Sequence, residues 1–111
     1  MPLTAPLCVP VELQLENGRA RWFRLAIEVA EDGLLFGKAL PGECEGPLAV
    51  SFFLPDDEEG LSLKGRIVEI EPREGSAEAR AGDQRRGLVF IRPDEESRAR
   101  IARYVEARLL E

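Results

Sequence analysis

Residues 8–36 read CVPVELQLENGRARWFRLAIEVAEDGLLF, and the fold turns on them. Val9, Val11, Leu13 and Leu15 alternate with Pro10, Glu12, Gln14 and Glu16, the period-two pattern of a strand with one wet face. Asn17-Gly18 favours positive φ and predicts a type I′ hairpin turn. A second strand then runs from Ala20 to Ala30. One unbroken period-two phase places Phe23, Leu25, Ile27 and Val29 on its core face, and Trp22, Arg24, Ala26, Glu28 and Ala30 on the other. Asp32-Gly33 marks a turn, and Leu34 to Phe36 a short buried strand.

Outward from this segment the same logic continues. Residues 1–6, with two prolines and no periodicity, read as a leader. Residues 38–46 read as a loop, and Leu48, Val50, Phe52 and Leu54 as an alternating strand ended by Pro55. After a polar turn at 56–60, Leu61, Leu63 and Ile67 continue a long strand. Gly65 predicts a bend or bulge, and the change of face at Ile67-Val68 a bulge or a move between sheet halves. Residues 74–87 are charged and glycine-rich, as in a mobile hairpin tip. The apolar run Leu88 to Ile91 predicts a strand buried on both faces. Asp94 is the expected N-cap of a helix over 94–110, with Glu95 and Glu96 at the positive end of its dipole. Ile101, Tyr104, Val105 and Leu109 form its apolar stripe, while arginines 98, 100, 103 and 108 cover other faces. The expected architecture is mainly β: a small antiparallel six-stranded barrel with a C-terminal helix, one domain over 1–111.

Composition narrows the function. Fifteen basic against 21 acidic residues leave a net charge of −6, which opposes nucleic-acid binding through phosphates. All basic residues except Lys38 and Lys64 are arginine, which reads as coding bias. With no histidine, Cys/His zinc sites and His-based catalytic pairs are excluded, and no nucleophile–base pair points to an enzyme. Cys8 and Cys44 read as spare thiols. The acidic stretches 42–46 and 56–60 lack calcium-loop spacing and read as solvated turns, so neither a metal nor another cofactor is expected. No apolar run is long enough for membrane insertion, and no signal-peptide pattern is present, which predicts a cytoplasmic protein.

The order of pieces carries a resemblance. Pro10-Val11 opens a strand, and a hairpin leads to a strand ending in acid-x-small-x-x-Gly. Then come a short apolar strand, Leu48-x-Val-x-Phe-x-Leu54, Leu63-x-Gly-Arg-Ile-Val68, Gly87-Leu-Val-Phe90 and an acid-capped helix. From about Thr4 to Leu110 the chain resembles the PilZ domain, a bacterial family whose typical members bind cyclic di-GMP. The resemblance implies two ligand motifs: Arg-x-x-x-Arg before the first strand and Asp/Asn-x-Ser-x-x-Gly after the second. Arginine suits the first because its planar fork grips phosphate and stacks on a base. This sequence departs from both. No arginine precedes Arg19, Thr4 stands at the motif's second arginine, and the first position falls before Met1. In the second motif Glu28 replaces the aspartate and Ala30 the serine, so only Gly33 is kept.

Losing a buried charged partner costs roughly 2–5 kcal/mol. A micromolar affinity is worth only about 8 kcal/mol in total. The expectation is therefore a vestigial motif (Glu28, Ala30, Gly33) that does not bind cyclic di-GMP in the standard way. Trp22 and Arg24, taken to share the outer face with Glu28, form the candidate partner or alternative-ligand face. The alternative for Trp22 is packing under the helix or a loop. Arginines 73, 80, 85 and 86 flank or lie within the 74–87 loop and offer a replacement anion site as the alternative, but interspersed with Glu74, Glu78 and Asp83 they read as a solvated loop. The resemblance implies a non-catalytic adaptor acting through protein partners in bacterial signalling, in pilus, motility or polarity control. The alternative is a cyclic di-GMP receptor using a rearranged set, such as Arg19, Arg21 or Arg24 with Glu28.

Overall fold

The alternation at the start of the chain reaches further back than the leader reading allows. In the computed structural model, which describes residues 3–16, 18–40, 46–55, 57–69 and 86–110, the first strand β1 spans Thr4–Leu15. Ala5, Leu7, Val11 and Leu13 are buried, whereas Thr4, Pro6, Cys8 and Pro10 are exposed, so residues 4–6 belong to the strand. The Leu15 N–H donates to the Ala20 carbonyl (3.1 Å), and the Gly18 N–H donates to the Leu15 carbonyl (2.8 Å). Gly18 has φ 74°, as the turn requires. The ladder thus closes at Leu15 and Ala20, a wider connection than a two-residue type I′ turn. Asn17 lies outside the described residues.

The other strands are β2 (Arg21–Ala30), β3 (Gly33–Phe36), β4 (Leu48–Phe52), β5 (Leu61–Val68) and β6 (Gly87–Phe90). They close a barrel in the order β1-β2-β3-β6-β5-β4, with every neighbouring pair antiparallel. Six strands and closure are as the sequence predicts. Phe36, Leu13, Leu48, Leu61, Leu88 and Val50 fill the interior, and Phe52 stacks on Phe90 with centroids 6.5 Å apart. The expected loops at 41–45 and 74–85, with Cys44 and arginines 73, 80 and 85, lie outside the described residues.

β2 departs from the single phase that the sequence predicts. Its register against β3 shifts between Ala26 and Glu28, and the β1–β2 register shifts between Pro6 and Val9. Ahead of the shift, Trp22 lies opposite Leu13 and Arg24 opposite Val11, which puts both on the core side. Trp22 is partly buried against the core, whereas Phe23 and Leu25 are 59% and 49% exposed. Beyond it Val29 is fully buried, while Glu28 and Ala30 take the outer phase. An extra residue in one strand reverses the faces downstream.

In β5, Gly65 causes no bulge. It pairs with Leu48 on one side and Phe90 on the other, in a register that stays continuous through Val68. The glycine instead makes room for Leu88, whose Cδ2 would lie 2.5 Å from an added Cβ. β6 is likewise not buried on both faces, since Val89 is 37% exposed.

The helix α1 spans Glu95–Leu109 and packs against β1 and β2. Asp94 caps it, accepting the Ser97 N–H at 3.0 Å. Ile101 and Val105 are buried, contributing about 1.5–3 kcal/mol each on apolar-area grounds. Tyr104 is partly buried and its hydroxyl donates to the Pro6 carbonyl at 2.9 Å, but Leu109 of the predicted stripe is 49% exposed. On its other side α1 is pinned by Arg100, which pairs with Asp57 at 2.7 Å and also donates to the Glu59 and Gly60 carbonyls. Among the described residues no helix is long and apolar enough to cross a membrane.

Candidate functional site

The residues at the positions that the resemblance assigns to the ligand motifs meet in one groove. β1 and β2 place Thr4 directly opposite Ala30 and Pro6 opposite Glu28; β3 places Leu35 opposite Glu28 and Gly33 opposite Ala30. From the far side β6 brings Val89 opposite Gly33. The resulting groove, about 270 Å³, is lined by Thr4, Glu28, Ala30, Leu35, Val68 and Val89, with Asp32 and Gly33 at its turn. The sequence locates Thr4, Glu28, Ala30 and Gly33. Leu35, Val68 and Val89 come from strands whose pairing only the fold reveals.

The chemistry of this groove is apolar and acidic. Among the described residues its charged lining side chains are Glu28 and Asp32, with no lysine or arginine. Glu28 is half-buried between Pro6 and Leu35, and among the described residues no hydrogen bond or ion pair engages its carboxylate. Gly33 has a structural reason to be glycine: a Cβ there would collide with the backbone carbonyl of Leu88. Asp32 is held beside it, its carbonyl accepting the Phe90 N–H at 2.8 Å.

Trp22 and Arg24 do not join Glu28 on one face, because the register shift separates them. The Arg24 guanidinium donates to the Phe23 carbonyl at 2.9 Å. Arg21 lies over the Phe23 ring, 5.7 Å from its centroid, and pairs loosely with Glu12 at 3.5 Å. The outer aromatic surface is formed by other residues. Phe23 and Phe53, 59% and 57% exposed, border one shallow depression with Pro10 and Glu12. Leu25 stands opposite Pro10 beside it. Phase ambiguity in β2 hides this patch from the sequence.

The family model for the PilZ domain matches residues 5–107, nearly the whole chain. This chain belongs to the PilZ domain family. The family is one of regulatory binding domains, and the closed barrel with its C-terminal helix agrees with it. Among solved structures, this PilZ domain is similar to the Bacillus subtilis inhibitor of motility (MotI/DgrA), with 13% identity and a TM-score of 0.72. The likeness covers 99% of this chain and 51% of that one, so the domain spans about half of that protein. It is also similar to the PilZ domain of CeSA from a cellulose synthesizing bacterium, with 18% identity and a TM-score of 0.61 over 97% of this chain and 98% of that one. At such identities the likeness concerns the fold. No curated protein matches the sequence.

Proposed function

We propose that this PilZ domain is a non-catalytic adaptor that regulates through protein–protein contact and does not bind cyclic di-GMP in the family's usual mode. The groove supports this reading most directly. Thr4 and Ala30 face each other where the resemblance implies an arginine and a serine, and the charged side chains lining the groove are carboxylates. Among the described residues, a ligand with two phosphates would meet like charge and no guanidinium fork there. Less supports the rearranged-motif alternative, since none of Arg19, Arg21 and Arg24 is among the described residues lining the groove with Glu28. The exposed Phe23, Leu25 and Phe53 surface is of the kind that protein partners cover. The similarity to an inhibitor of motility points to motility as the setting, while pilus or polarity control and a cytoplasmic location belong to this proposal through the family resemblance alone.

Titration calorimetry with cyclic di-GMP tests the reading. Ligand carried to about 100 times a micromolar dissociation constant should give only dilution heats. A saturable micromolar isotherm would overturn it.

A further inference from the structure

Among the described residues, the groove's lining is the reverse of an anion site in its chemistry. Ala30, Leu35, Val68 and Val89 offer aliphatic walls, Glu28 is half-buried among them, and Asp32 stands at one end. A half-buried carboxylate beside apolar walls is best satisfied by a side chain that is itself an apolar stem with a cationic head. Such a cation would replace water lost by Glu28, while its stem covers the exposed part of Val89. Among the described residues the nearest basic positions in register are Arg66, exposed opposite Val89, and Arg86, beside the Gly87 that pairs with Leu35 and Val68; neither is among the lining residues. Closure of the barrel by β1–β4 pairing favours docking through side chains over addition of a further strand.

We infer that the groove receives a basic, aliphatic segment of a partner protein, a lysine or arginine lying along Ala30, Leu35 and Val89 with its head between Glu28 and Asp32. The inference rests on the adaptor reading and gives it a partner chemistry. Electrostatic complementarity supplies the selectivity: acidic segments are repelled, and a purely polar basic segment leaves the walls uncovered.

The test is an amide NMR titration of the whole chain with a short peptide of alternating leucine and arginine. Leucine/glutamate and serine/arginine peptides serve as comparisons. Saturable shifts are expected at Glu28 to Leu35, Val68 and Val89 with the leucine/arginine peptide, weaker ones with serine/arginine, and none with leucine/glutamate. The double variant Glu28→Gln/Asp32→Asn should bind about tenfold more weakly, a change of 1.4 kcal/mol. The charge-matched control Glu58→Gln/Glu95→Gln should bind as the parent does. Equal weakening by the control, or shifts centred on Phe23 and Phe53, would show attraction to net charge or to the other patch and overturn the inference. Cyclic di-GMP added to a parallel sample separates the two ideas. Saturable dinucleotide binding defeats the adaptor reading, whereas silence from both ligands defeats only the basic-segment inference.

Discussion

At Gly33 the residue type is dictated by a neighbour across the sheet rather than by a ligand. A Cβ there would strike the Leu88 carbonyl, and backbone in a closed barrel cannot retreat cheaply. Gly65 faces the Leu88 side chain instead, which has rotamers to spare. Gly33→Ala should therefore cost about 1–3 kcal/mol or more, undiminished in a Leu88→Val background, whereas the cost of Gly65→Ala should shrink there. Urea unfolding followed by Trp22 fluorescence separates the cases, and relief of both glycine variants by Leu88→Val would refute the distinction. The PilZ resemblance assigns Thr4, Glu28, Ala30 and Gly33 to motif positions, and the fold brings these four residues to one groove. The side on which Trp22 and Arg24 lie is not legible, because RWFRLAIEVA has apolar residues in both period-two phases. Only the extra residue near Ile27 decides which phase faces the core.

Among the elements, α1 was the most readable, since Asp94, the acidic first turn and Ile101/Val105 all point to the same helix. Its second attachment was less so, because Arg100 reaches a loop far away in sequence. Arg100 holds the Asp57 carboxyl below the usual carboxylate range, first through its side-chain hydrogen bond and then with help from the Glu59 backbone N–H. Ser97 does the same to Asp94, through its side chain and then its backbone N–H. Both carboxyls are depressed in the folded state. Their stabilisation is complete above the ordinary value of 3.8 and is lost as pH falls through the lowered values. The Asp57→Asn/Asp94→Asn variant should consequently show a flatter decline in thermal midpoint below that pH than the parent, by circular dichroism. Parallel acid limbs would rule out these two carboxyls as its source. Strand pattern alone misplaces Gly65, the Ile67-Val68 pair and Leu88 to Ile91. Their roles depend on which strand lies alongside.

On the scale of the molecule, two surfaces of different character share the barrel wall. One is the acid-lined groove at the β2–β3 turn, and the other is the apolar patch of Phe23, Leu25 and Phe53. The patch residues contribute little to folding because about half or more of each remains in water. Phe23→Ser/Phe53→Ser should leave the urea midpoint within the range of about 0.5 kcal/mol expected of surface changes, while binding of a hydrophobic dye to the folded protein falls. A large drop in midpoint would mean that the patch belongs to the core. The bond from Tyr104 to Pro6 reaches across 98 positions of the chain. During synthesis, then, the first strand leaves the ribosome long before the helix that ties it down. Until α1 follows, the barrel side that receives Ile101 and Val105 stays bare. The nascent domain thus passes through an interval in which its last-made segment is still missing as a cover, and chaperones or premature partners have their access then.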